Sequence, residues 1–377
     1  MSLRNDIDPD GLLEYSVVFS DRSLNHMSQL FQQVMLDISS MLKKTYNAEA
    51  VSVVPGGGTF SMESVARQFA KDNKCLVIRN GWFSYRWSQI LEMGDITSKV
   101  SVLKAQPIEQ TNQPSFAPPP IESVVEAIRT EKPRVVFAPH VETSAGMILP
   151  DEYIKAVGLA THSVGGLFVL DCIASGTIWV DMVDCGVDIL ISAPQKGWSS
   201  SPCAGLVMLN QRALDHLEVT TSNSFACDLK KWLQIMQAYE NGGHAYHATM
   251  PTDALTTFRN TMKETENYGL DKIKERQQLL GDKVRTVLTE KGFKSVAAEG
   301  FQAPGVVVSY TDNVDIQSGK KFAEIGLQIA AGVPLQCGEP KNFETFCLGL
   351  FGLDKLHHVD RTVNNLKQAI GRIAASR

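Results

Sequence analysis

No stretch of the 377-residue chain approaches the roughly 18 to 20 consecutive apolar residues of a membrane-crossing helix. No run of Lys and Arg is long enough to grip nucleic acid or an anionic membrane either. With 36 basic against 41 acidic residues the formal net charge is −5, and neither kind of partner is expected. The cysteines, seven and so odd in number, stand at 75, 172, 185, 203, 227, 337 and 347 without the close pairs of a zinc site. Reduced thiols and no metal are the expectation. Residues 1–15, MSLRNDIDPDGLLEY, are acidic and carry no apolar signal core, which makes the cytoplasm the expected location. There is no internal repeat and no low-complexity tail. What remains is ordinary globular composition, 44% hydrophobic and 20% charged, in a chain long enough for two domains.

Residues 187–202, VDILISAPQKGWSSSP, begin as a short apolar run, stop at Ser192 and deliver Gln195 and Lys196 into a loop. A lysine after a buried strand can lose water from its ammonium, which lowers its pKa and frees an amine for imine chemistry. Most strand-end lysines simply keep their heads in solvent. Asp171, 25 residues upstream in VLDCIAS, also ends an apolar run and has small residues after it. Pyridoxal phosphate needs such a pair: a lysine to hold its aldehyde as an imine, and an acid to keep its ring nitrogen protonated. A structural Asp–Lys ion pair would account for these two residues but not for the third element, VPGGGTFSME at 54–63. There, glycines followed by Thr59 and a helical pattern make an anion nest for a phosphate.

Six motifs, in order, carry a resemblance that spans nearly the whole chain: PGGGTFSME at 55–63, NGWFSYRW at 80–87, HVETSAG at 140–146, LDCIASG at 170–176, APQKGW at 193–198 and YHATMP at 246–251. The chain resembles the class V pyridoxal-phosphate aminotransferases, and most closely the alanine-glyoxylate and serine-pyruvate branch. The resemblance implies an α/β protein of fold type I: a large domain with a mostly parallel seven-stranded sheet and a small C-terminal α+β domain. It also implies a Lys196 internal aldimine, with Asp171 as the acid. The cofactor would be held by Gly57, Gly58, Thr59, Phe83, Thr143, Ser144, Ile173 and Gln195. Phe83 would stack on the ring, and the hydroxyls of Thr143 and Ser144 would meet a ring substituent. Tyr246 and Thr249 match residues that reach the phosphate of the neighbouring subunit, so a homodimer with shared sites is implied.

Along the chain, apolar residues at spacings of four predict a helix over 24–46, capped by Asn25 or Ser23. Strand-to-helix units follow at 50–69 and from 74 onward, the alternation expected of a parallel sheet. Arg86 is expected to brace local structure. Residues 109–120, rich in Gln and Pro, read as a surface connection before a helix at 121–129 and a strand at 134–138. After a strand at 203–209 and helices at 232–239 and 254–268, a long helix at 271–291 leads into a second module. That module reads strand 305–310, helix 315–326, strand 343–350 and helix 356–375. The expected division is an N-terminal segment 1–23, a cofactor domain 24–268 and a small domain 269–377.

Two departures from the family bear on substrate. Where the branch has an arginine that clamps the substrate carboxylate through two parallel hydrogen bonds, this chain has Cys347, in ETFCLGLFG. The N-terminal Pro-Gly-Pro segment is also missing, and VVFSDR at 17–22 runs in its place. A carboxylate could instead meet Arg22, Lys341 or Arg86. Three activities remain in view. One is a transaminase passing an amino group from an amino acid or amine to a small 2-oxo acid such as glyoxylate or pyruvate. Another is a lyase or desulfurase of the same fold using Cys337 in VPLQCGEP. The third is a non-catalytic cofactor-binding protein.

Overall fold

The computed structural model describes residues 12–375. Residues 1–11 of the expected N-terminal segment, with the acidic leader they contain, lie outside the described residues.

A seven-stranded sheet organises the larger part of the chain. Its strands are β1 (Ala50–Pro55), β2 (Cys75–Arg79), β3 (Val100–Lys104), β4 (Val135–Pro139), β5 (Leu167–Asp171), β6 (Ile189–Ser192) and β7 (Ala204–Leu209), in the spatial order β1-β7-β6-β5-β4-β2-β3. β7 is antiparallel to both its neighbours and the remaining pairings are parallel, so every strand but β7 points the same way. The central strands are buried on both faces, which is why they read as unbroken Val, Ile, Leu and Phe runs rather than alternating ones. One edge of the sheet thereby gathers the C-terminal ends of β1, β2, β4, β5 and β6. Open parallel sheets bind ligands at that edge.

Three helices pack against this sheet early in the chain: α1 (Gln29–Tyr46), α2 (Gly58–Phe69) and α3 (Trp82–Met93). α1 starts five residues later than its apolar spacing predicts, and its cap is Ser28, whose Oγ accepts from the Phe31 N–H at 3.2 Å. Asn25 is committed elsewhere: its Oδ1 accepts from Met27 N, and its amide donates to Glu14 and Ser16. α2 starts at Gly58 and α3 at Trp82, each directly after a glycine.

Buried apolar residues from Leu24 to Met262 form one core, and those from Ile273 to Ile373 a second. The second surrounds an antiparallel sheet of β8 (Val306–Tyr310), β9 (Ala330–Ala331) and β10 (Thr345–Gly349), with β10 central. A third cluster joins the two, packing Phe116, Val141, Ala145 and Ala174 against Val306, Val308 and Cys347.

The structure corrects several sequence expectations. Residues 109–120 are not wholly a surface connection, because Phe116 is fully buried in the joining cluster and Tyr310 Oη donates to Pro114 O at 2.5 Å. The helix expected over 315–326 is two short pieces, Val314–Gln317 and Lys320–Ala323, parted at Gly319, whose φ of 81° lies outside the helical region. The closing helix is likewise divided, into Leu353–His357 and Val359–Ala375. Strand β3 and the helix Gln211–Val219 have no counterpart in the sequence reading.

Candidate active site

Ile191 of β6 pairs with Asp171 of β5, so the loops that follow the two strands leave the sheet side by side. They touch through backbone. A Cβ on Gly197 would lie 2.1 Å from the Gly176 carbonyl oxygen, a contact that only glycine permits. Lys196 sits immediately before this contact. Its side chain is partly accessible along the cavity, but its ammonium is enclosed and makes no ion pair among the described residues. Burial pushes its pKa down, with Asp171 pulling the other way. Nζ lies over the Phe83 ring, 5.8 Å from its centroid, and over that of Phe351 at 5.7 Å, so aromatic faces border the space around it.

Asp171 is 8% exposed. One carboxylate oxygen accepts from Ile173 N at 2.9 Å, and its own carbonyl accepts from His140 N at 2.8 Å. Burial raises the carboxyl to about 6, against the pull of the Ile173 N–H and of Lys196. Behind it, His140 is fully buried and held near 3 by desolvation, and its Nδ1 lies 2.7 Å from Ser175 Oγ. It is a neutral support for the loop.

The third component is the entry to α2. Gly56 has φ of 120°, Gly57 is extended, and a Cβ on Gly58 would meet Ile173 Cδ1 at 2.5 Å. A Cβ on Gly57 would meet nothing within 4 Å, so its backbone borders open space. The first N–H groups of a helix have no intrahelical acceptors, and here they point where an anion can come close.

A single buried carboxylate fixes the remaining wall. Glu142 Oε1 accepts from Phe83 N at 3.1 Å, Ser144 N at 3.1 Å and Ser144 Oγ at 2.7 Å. Its Oε2 accepts from Ser84 N at 2.9 Å and Ser84 Oγ at 2.6 Å. Ser144 Oγ in turn accepts from Trp82 N at 2.9 Å. The loop after β4 thus caps α3, and Gly81 is glycine because a Cβ there would strike Ser144 Oγ at 2.1 Å.

Most of the residues singled out from sequence converge on one cavity, walled by Gly58, Thr59, Phe83, Thr143, Asp171, Ile173, Gln195 and Lys196. Gly57 caps the helix at its rim. Ser144 does not line it, since its hydroxyl is spent on Glu142 and Trp82. Arg86, expected to brace local structure, instead faces the cavity: its Nη1 donates to Thr59 Oγ1 at 3.2 Å and its Cζ lies 4.7 Å from the Phe83 centroid. Phe351 was missed, for it carries no signal beyond two flanking glycines. Tyr246 and Thr249 are exposed, lie outside this chain's own cavity, and their hydroxyls are 3.3 Å apart. Arg22 and Lys341 are exposed and do not line the cavity. Cys347, on β10, is 8% exposed with its Sγ 3.9 Å from Thr143 O. Among the described residues no cluster of His, Cys, Asp and Glu could hold a metal.

These residues fit pyridoxal phosphate. An enclosed, unpaired lysine amine suits an aldehyde. A carboxylate with one oxygen uncommitted suits a protonated ring nitrogen, and the glycine-lined entry of α2 suits a phosphate. Gln195, on the cavity wall, has a buried Oε1 without a partner among the described residues.

Comparison with known proteins agrees with this geometry. A family profile described as "Aminotransferase class-V" matches residues 13–343. The 2-aminoethylphosphonate–pyruvate transaminase of Syntrophobacter fumaroxidans is 25% identical over 365 residues, covering 93% of this chain and 90% of its own. The alanine–glyoxylate aminotransferase of Rattus norvegicus is 23% identical over 364 residues, covering 93% and 82%. The crystal structure of an alanine–glyoxylate aminotransferase from Nostoc sp. superposes with a TM-score of 0.77 at 21% identity, covering 98% of this chain and 100% of that one.

Two stability measurements check the site. In cofactor-free protein the Asp171 carboxyl is raised from 3.8 to about 6, so the folded state holds its proton longer than the unfolded state. Its contribution to stability therefore falls as pH rises from about 4 through 6. Asp171→Asn should stabilise the cofactor-free protein by about 1–3 kcal/mol at pH 8 and by almost nothing at pH 4, read from urea unfolding. A gain of equal size at both pH values would mean that ionisation is not its cause. Glu142→Ala leaves several buried donors without an acceptor and should cost about 3 kcal/mol or more. A urea midpoint within error of wild type would remove Glu142 from its organising role.

Proposed function

The chain belongs to the class V aminotransferase family, and on that premise we propose that it moves an amino group from an amino acid or amine donor to a small 2-oxo acid such as glyoxylate or pyruvate. The observation that carries this reading is the enclosed, unpaired amine of Lys196 in the same cavity as the buried carboxyl of Asp171. The acceptors are suggested by the relatives, whose names specify pyruvate and glyoxylate.

The cofactor is pyridoxal 5′-phosphate, which when bound supplies an electron sink for the charge left as the donor's α-proton departs. Lys196 is the residue that would hold its aldehyde, because desolvation keeps a larger share of its amine unprotonated. Its Nζ would also be the base on hand to take a proton from the donor's α-carbon and return it. Asp171 would hold a proton at the ring nitrogen, and the cationic ring would in turn keep its carboxylate ionised. The N–H groups at the start of α2, with Thr59 and Gln195, would hold the phosphate. Phe83, on the cavity wall, would cover a face of the ring and exclude water.

A homodimer belongs to this proposal. Tyr246 and Thr249 are exposed and away from their own cavity, the disposition expected of residues that complete a neighbour's phosphate site. The cytoplasm remains the proposed location on sequence grounds; among the described residues no helix is long and apolar enough to cross a membrane. The desulfurase reading needs a reactive thiolate on a mobile loop. Cys337 is instead buried, with its Sγ near the Arg79 and Leu335 carbonyls and its pKa pushed up to about 12 by burial. The proposed transaminase is therefore favoured over it.

Borohydride reduction of the cofactor-loaded protein followed by peptide mapping should label Lys196, and label on another lysine would defeat the assignment. Mixing Lys196→Ala with Tyr246→Phe subunits should restore part of the activity that each loses alone; no recovery in verified mixed dimers would refute shared sites. If Cys347 marks a lost carboxylate clamp, Cys347→Arg should lower the apparent KM for pyruvate by about tenfold. An unchanged KM would show that the carboxylate binds elsewhere.

A further inference from the structure

We propose that Arg86 completes the seat of the cofactor's phosphate, its guanidinium pairing with the phosphate at the entry to α2. The inference rests on the cavity being a pyridoxal-phosphate site, but no motif match assigns Arg86 this part. Charge and place both point to it.

A phosphate monoester carries about −1.5 to −2 charges near neutral pH, and a buried anion of that size requires compensating cations. A helix N-terminus supplies the equivalent of about half a positive charge. Thr59 and Gln195 add dipoles but no charge. Lys196 cannot serve, because its amine is committed to the aldehyde. Arg86 is the other cation on the cavity wall, and it makes no ion pair among the described residues.

Its position selects the phosphate over a substrate carboxylate. Nη1 is tied to Thr59 Oγ1 at 3.2 Å, and Thr59 is the second residue of α2. The guanidinium is therefore anchored beside the first free N–H groups of that helix. The vacant clamp position belongs to another wall, where Cys347 on β10 approaches Thr143. Phe83, one turn before Arg86 on α3, supports the guanidinium plane from below at 4.7 Å. One donor is used on Thr59, and four N–H donors remain for phosphate oxygens. Because α3 is held by Glu142, the ring-covering residue and the phosphate cation are delivered by the same helix at a fixed spacing.

The test compares cofactor with its phosphate-free counterpart. Cofactor-free wild type, Arg86→Gln and Arg86→Lys are titrated with pyridoxal 5′-phosphate and with pyridoxal, following the absorbance of the lysine adduct, and thermal unfolding confirms that each variant is folded. Arg86→Gln should weaken pyridoxal 5′-phosphate by tenfold to a hundredfold, the range expected for a charge-assisted contact. Pyridoxal binding should stay within about twofold. Arg86→Lys should recover part of the loss. Equal weakening of both ligands would assign Arg86 to packing and overturn the proposal. Unchanged cofactor binding with a tenfold rise in the KM for pyruvate would overturn it in favour of a carboxylate clamp. A wild-type protein that forms no adduct at Lys196 would instead defeat the functional reading on which the proposal stands.

Discussion

The carboxylate of Glu142 is the contact on which the rest of the site depends. Its two oxygens take five donors drawn from two separate segments, the first turn of α3 and the loop after β4. That arrangement discharges the orphan N–H groups of a helix start inside the protein, where leaving them unpaired would cost several kcal/mol. It also sets the rotation of α3 about its axis, and Phe83 and Arg86 face the cavity as a result. The close approach of Gly81 to Ser144 belongs to the same arrangement, since a bulkier residue would push α3 off its cap.

Against this satisfied network stands a deliberately unsatisfied one. Lys196 and Asp171 are both enclosed, and each is moved by burial toward its neutral form, the amine downward and the carboxyl upward. Neither closes an ion pair with the other. Their charges are held apart, and the cofactor-free fold bears the desolvation of both. A ligand with an electrophilic carbon at one end and a protonatable ring nitrogen at the other relieves both at once. The same mismatch that weakens the empty protein becomes binding energy for the group that fits it.

Much of this arrangement is legible in sequence. Lys196 and Asp171 announce themselves because each ends an apolar run, and the glycine loop because three successive glycines before a helical pattern have few other uses. What escapes is whatever depends on rotation or on distant partners. Ser144 is indistinguishable from Thr143 until the loop's turn sets Thr143 on the cavity wall and sends the Ser144 hydroxyl to Glu142. Arg86 lies one helical turn from Phe83, so the direction of both follows from a cap 58 residues further along the chain. Phe116 sits in a polar, proline-rich stretch whose composition says surface, yet long-range packing buries it completely. The helix at 315–326 fails for a local reason: apolar spacing persisted across Gly319, but its backbone left the helical region.

The backbone contact between Gly197 and Gly176 bears on how such a site can change over evolutionary time. The loops that follow β5 and β6 are registered by main chain rather than by the side chains of Asp171 and Lys196. The distance between the two reactive groups is therefore insulated from substitution in the walls around them. Cys347 lies on β10, in a different sheet and away from this contact, so a change of side chain there leaves that register undisturbed. A single methyl group on Gly197, by contrast, would strike the Gly176 carbonyl and force the two loops apart.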